Sequence, residues 1–162
     1  SILYPQREYL SQDVVDYIQR DVSRIERGLF SSDMVAGLYD YNKELDVDSF
    51  VDYYILQEFL AVNDAFSRST YLYRDIRGTL HMGPVWDYNN VLNNFFLSFS
   101  RRGFMLANRG WYGRLMTSED FVEHVISRME GYMLSRAEWL DEHIEDLYQY
   151  CHPSKNASQW LE

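Results

Sequence analysis

The 162-residue chain carries 25 acidic against 15 basic side chains, a formal charge of −10, with 46% apolar residues. That length suits one domain able to bury about 70% of its unfolded surface, and the acidic balance excludes a phosphate-neutralising nucleic-acid face. The lone Cys151 excludes an internal disulfide and a cysteine-based zinc site, and no apolar run approaches the length of a membrane span.

Ser11 stands at a helix N-cap position ahead of Val14, Val15, Ile18, Val22, Ile25 and Leu29. Their spacing by three and four predicts a helix to about Phe30. A second helix is predicted from Asp46–Asp48 to about Val62, with Phe50, Val51, Tyr54, Ile55, Phe59 and Val62 on a broad apolar face. So apolar a helix is expected to be central and mostly buried. A hairpin follows, Thr70–Arg74 with Thr79–Met82 around Asp75-Ile-Arg-Gly78, where Gly78 is expected to supply the positive φ.

Residues 90–113 carry Asn, Gly and aromatics without a sustained period and read as irregular. Thr117 with Asp120 makes a loose capping box before Phe121, Val122, Val125, Ile126 and Met129. Ser135 with Glu138 makes the stricter box and predicts a separate last helix bearing Leu140, Ile144, Leu147 and Tyr148. The sum is a mainly α (α+β) single domain over residues 1–160 with one small hairpin. Leu161-Glu162 reads as a cloning scar, and the start at Ser1 without a signal peptide reads as a cut-out segment. The chain is rich in aromatics, 14 of them tyrosines, and those at helical spacing are expected in the core and groove linings rather than at a cofactor.

The stretch 64–89 bears the candidate chemistry. Asp64 follows the apolar helix, the hairpin intervenes, and Asp87 sits in the run Gly83-Pro-Val-Trp-Asp87-Tyr-Asn89. Kinase-type phosphoryl-transfer enzymes order base, strand pair and metal-binding carboxylate in this way. One carboxylate then positions a hydroxyl nucleophile while the other holds a divalent cation. Asp64 reads equally as a turn residue, and Asp87 as a residue fixing its loop.

Ser69, five positions after Asp64, falls where the kinase catalytic loop holds a second metal ligand, and it also suits a hairpin start. Asn89, Asn90, Asn93 and Asn94 offer amide oxygens that suit Mg²⁺ or Ca²⁺, or serve turns. Glu58 is expected to pair with an arginine such as Arg74, His81 to be packed or on the surface, and Cys151-His152 to end a helix. Lys43 and Lys155 are the only lysines, neither lies in a phosphate loop, and no GxGxxG or GxxxxGK[ST] loop occurs.

With these residues in view the chain resembles the CotH kinase family, named for spore coat protein H. The likeness rests on Tyr4-Pro5, the run Asp46 to Phe59, Asp64, Ser69 to Tyr73, Gly78 to Asn89, Trp111-Tyr-x-Arg-Leu115 and Phe121 to Arg128. Gly-Pro-Val-Trp-Asp after the hairpin is its most specific part. The resemblance implies a helical, kinase C-lobe-like fold and an atypical protein kinase that uses ATP with a divalent metal to phosphorylate spore coat proteins. Asp64 would match the catalytic aspartate and Asp87 the metal-binding one. Asn89 stands where the family often has Asp, Val62 where Asn is expected before the catalytic Asp, and Asn93 where Gly is common.

The resemblance further implies an N-terminal lobe with the nucleotide-phosphate contacts, which agrees with the lack of a Gly-rich loop and a usable lysine here. The expected function is therefore that of a C-terminal catalytic lobe, inactive by itself, serving ATP- and Mg²⁺-dependent transfer to a protein hydroxyl. Asp64 would be the base, and Asp87 with Asn89 and Ser69 would hold Mg²⁺. A secreted or cell-surface location and a protein substrate go with that reading. The alternative is a non-catalytic binding or scaffold module recognising protein or glycan, drawing on Asn89, the aromatic-rich region Phe95–Trp111 and the acidic surface. A third is a purely structural helical domain in which Asp87 caps its loop.

Overall fold

The computed structural model describes residues 2–62, 66–88, 91 and 103–151, with side chains as far as residue 144. Among these the order is a 3-10 turn at Arg7–Tyr9, α1 (Gln12–Leu29), α2 (Ser32–Val35), a 3-10 turn at Tyr41–Lys43, α3 (Val47–Leu60), β1 (Leu72–Tyr73), β2 (His81–Met82), α4 (Tyr112–Leu115) and α5 (Glu119–Cys151). The protein is mainly helical with one antiparallel hairpin, in which Leu72 faces Met82 and Tyr73 faces His81. It divides into two units, Ser1–Val125 and Ile126–Glu162. Among the described residues no helix is long and apolar enough to cross a membrane.

In the first unit α3 is the hub. Apolar residues occupy most of its sides, so it buries Phe50, Val51, Tyr53 and Tyr54 together rather than a single stripe. The fully buried Tyr112 ring sits among Phe50, Tyr53, Tyr54, Phe66 and Phe121, at centroid distances from 5.6 to 6.4 Å. Its hydroxyl donates to the Phe50 carbonyl at 2.9 Å, which answers the polar end of a buried tyrosine. Phe59, expected on the apolar face, is instead 79% exposed. With buried groups on the other sides of α3, one row remains for solvent.

Asp46 caps α3, its carboxylate accepting from Ser49 N–H at 2.9 Å. The helix stops at Leu60 rather than Val62. Ala61 takes the left-handed backbone (φ 51), and Val62 N–H returns to Gln57 O at 3.1 Å, a C-terminal cap built without the usual glycine. α1 buries Val15, Ile25 and Leu29, and Ser11 occupies its N-cap position without a side-chain capping bond. Its C-terminal carbonyls are met from afar: Arg114 donates to Leu29 O at 3.0 Å and to Ser31 O at 3.3 Å.

The hairpin is shorter than its pattern predicts, and the positive φ in its turn belongs to Arg77 (φ 64), not Gly78. Gly78 N–H instead closes the turn on Asp75 O at 3.0 Å. β2 is fastened to the start of α3. Asp46 N–H donates to Leu80 O at 2.9 Å, Leu80 N–H to Glu44 O at 2.7 Å, and Met82 N–H to the Ser49 hydroxyl at 3.0 Å. Arg74 reaches from the other strand to Gly78 O (2.6 Å) and to Asp21 on α1. Asp21 also accepts from Arg24 (3.0 Å), whose fork engages Glu44 (2.7 Å to Oε2). Hairpin, α1 and the approach to α3 thus form a closed ring of contacts.

α5 begins at Glu119, with the Ser118 hydroxyl, not Thr117, facing the Phe121 N–H at 3.5 Å. No separate last helix starts at Ser135. Its hydroxyl donates back to Tyr132 O at 3.0 Å, as a mid-helix serine does, and α5 runs on to Cys151. In the second unit the Trp139 ring lies between Arg136, 4.2 Å away, and His143, stacked at 4.6 Å.

Candidate functional site

The two ends of the hairpin meet. Ser69 precedes β1 and Asp87 follows β2, and the Ser69 hydroxyl donates to Asp87 Oδ2 at 3.2 Å. Both residues hold left-handed backbone, φ 48 at Ser69 and φ 66 at Asp87, and Phe66 nearby does the same at φ 63. Such conformations in residues other than glycine cost on the order of 1 kcal/mol or more each and persist only where surroundings impose them. Asp87 is exposed and Ser69 half-buried, so the pair presents hard oxygens to solvent.

The neighbours of this pair in the chain are met by side chains from α3. Thr70 gives its hydroxyl proton to Arg68 O at 2.9 Å, and its oxygen lies 3.3 Å from the Tyr53 hydroxyl. Tyr88 turns inward, where the Gln57 amide donates to its hydroxyl. Burial, with Tyr53 close by, pushes the Tyr88 phenol up to about 12, the Gln57 bond pulling slightly the other way. Burial likewise pushes Tyr54 up to about 12, with Glu58 adding to it. Sequence reasoning missed Gln57 and Tyr88. The available signal was Gln57 itself, an uncharged polar residue inside the run Tyr53-Tyr-Ile-Leu-Gln-Glu-Phe-Leu60.

Of the residues named from sequence, Asp64 and Asn89 lie outside the described residues, as do Asn90, Asn93, Asn94, His152 and Lys155. Glu58 does not pair with Arg74. Its carboxylate accepts the backbone N–H groups of Met105 (2.7 Å) and Leu106 (2.6 Å), while Arg74 is engaged by Asp21. A carboxylate one turn from the end of α3 is better placed to pin a returning backbone than to reach across to β1. His81 is packed, its ring stacked on Tyr73 at 4.8 Å with Nδ1 3.6 Å from Asp46. Trp111, counted in the aromatic platform of the binding-module reading, is buried at 5% exposure and stacked against Phe50. Lys43 pairs with Asp40 at 3.0 Å.

Among the described residues no group of three His, Cys, Asp or Glu is arranged to hold a metal. The donor set at Ser69 and Asp87 is nevertheless of the kind Mg²⁺ takes. It is one carboxylate and one hydroxyl, both oxygen, with Asp87 exposed to solvent.

No curated protein and no solved structure matches the chain. A model of the family described as CotH kinase protein matches residues 2–160, and the chain therefore belongs to the CotH kinase family.

Proposed function

We propose that this chain is the C-terminal catalytic lobe of an atypical protein kinase that transfers phosphate from ATP to a protein hydroxyl in a Mg²⁺-dependent reaction. The observation that carries the reading is the Ser69–Asp87 contact, made by residues 18 apart that both hold left-handed backbone. In this reading Asp87, with Ser69 and Asn89, holds the metal, and Asp64 accepts or orients the proton of the acceptor hydroxyl. The metal, when bound, neutralises charge on the transferring phosphate.

The chain's own part is positioning and electrostatics. Phosphoryl transfer asks little covalent chemistry of the protein, so rate follows from how firmly these oxygens are aimed. A preceding lobe would supply the nucleotide-phosphate contacts, and the lobe alone is then expected to be inactive. The test is phosphate incorporation from radiolabelled ATP and Mg²⁺ into a protein acceptor by the parent protein, with Asp64→Ala and Asp87→Ala alongside. Both variants should lose incorporation; equal incorporation by wild type and variants removes the assignment.

A further inference from the structure

The residues directly beside Ser69 and Asp87 are both fastened to one face of α3. Thr70 meets the Tyr53 hydroxyl at 3.3 Å, and Tyr88 meets the Gln57 amide. Tyr53 and Gln57 are four apart on the helix, so they project one turn apart from the same side. Both are buried, at 5% and 1% exposure. Both bonds are partly buried, where a hydrogen bond is electrostatically stronger than in water.

Gln57 is an odd choice for stability alone. Its Nε2 serves Tyr88, but among the described residues its buried Oε1 has no hydrogen-bond partner, and neither does the Tyr54 hydroxyl. An orphaned buried carbonyl costs about 1–3 kcal/mol, and an apolar side chain of similar shape often does as well or better. What the amide does provide is orientation of Tyr88, and through the peptide bond, of Asp87.

We propose that Tyr53 and Gln57 are positioning residues for the Ser69–Asp87 pair. Through Thr70 and Tyr88 they fix the separation and the left-handed backbone at which the two oxygens meet. This rests on the metal-holding reading of that pair for its purpose, and on geometry for its mechanism.

The experiment measures amide hydrogen exchange in peptides spanning residues 66–71 and 84–88, together with Mn²⁺ affinity. The proteins are wild type, Gln57→Leu, Tyr88→Phe and Thr70→Val, with Asp87→Asn as control. Exchange in both peptides should quicken by about tenfold in the variants at nearly unchanged thermal midpoint, and Mn²⁺ should bind about tenfold more weakly, the usual size of an outer-shell effect. Tyr88→Phe and Thr70→Val remove little more than a hydroxyl, so they decide the matter even where Gln57→Leu folds poorly. Unchanged exchange in those two overturns the positioning role whatever the metal does. Undiminished Mn²⁺ binding by Asp87→Asn overturns the metal reading instead, and exchange alone then judges Tyr53 and Gln57.

Discussion

The Ser69 hydroxyl donates to the Asp87 carboxylate at 3.2 Å, closing the hairpin between them into a loop whose two ends share one point. Both ends hold left-handed backbone, with φ at 48 and 66. On the proposed metal-holding role, Asp87→Asn replaces a carboxylate ligand with a neutral oxygen. The expected result is a loss of Mn²⁺ affinity of about tenfold or more, against a loss of only a few-fold for Ser69→Ala. Electron paramagnetic resonance titration of free Mn²⁺ measures both.

Glu58 accepts two backbone N–H groups, from Met105 and Leu106, and so holds the chain entering α4 against the end of α3. Bonds from neutral donors to an ionised acceptor contribute about 1.5–3 kcal/mol each, and part of that survives in the isosteric amide. Glu58→Gln is expected to lower unfolding stability by about 1–3 kcal/mol, with Glu58→Ala lower still. Urea denaturation followed by tryptophan fluorescence reports it.

Arg74 and Asp21 couple the hairpin to α1, with side chains only 26% and 16% exposed. Partial burial lifts such a pair above the roughly 0–1 kcal/mol of an exposed one. A double-mutant cycle of Arg74→Met and Asp21→Asn should give a coupling of about 1 kcal/mol, because Asp21 keeps Arg24 and Arg74 keeps the Gly78 carbonyl when the other is replaced. Purely additive effects would show that the contact contributes no more than a surface pair.

Gly28 lies in α1 with the Tyr39 ring against it, and a methyl group there would overlap that ring. Helix propensity alone favours alanine by about 1 kcal/mol. Overpacking of a filled site costs about 1–3 kcal/mol, so the clash wins unless Tyr39 moves aside. Gly28→Ala is expected to lower the thermal midpoint, and Gly28→Ala with Tyr39→Ala should recover the propensity gain.

Tyr54 and Tyr88 ionise near 10 when exposed, and burial pushes both up to about 12 in the folded protein. Between those values the folded state keeps protons that the unfolded chain has released. Their contribution is therefore fully present below about pH 10 and is lost as pH rises toward 12. Stability should fall across that window, and less steeply in Tyr54→Phe, which removes a hydroxyl with no partner among the described residues. Unfolding free energies measured at a series of alkaline pH values check the slope.

The elements were legible where a local pattern stated them. α1, the buried α3 and the hairpin follow from apolar spacing and turn residues, and Asp46 caps α3 as its position foretells. Boundaries were less so, because the residues that set them act at a distance or against their own preference. Ala61 ends α3 in a conformation that glycine usually takes, and Arg77 does the same in the hairpin turn. The capping box at Ser135 is a local signal overruled by the continuing helix, whose backbone bonds outweigh one side-chain cap.

By itself the sequence determined a mainly helical chain, an acidic surface and a Gly-Pro-Val-Trp-Asp loop after a hairpin, since each is written in neighbouring residues. Only the tertiary structure decided that Ser69 touches Asp87, that Glu58 serves backbone rather than Arg74, and that Tyr53 and Gln57 meet Thr70 and Tyr88. Those are pairings across 17 to 48 residues, and a hydrogen bond is a matter of where two atoms end up. Chain composition cannot state that before the core around Tyr112 has brought the segments together.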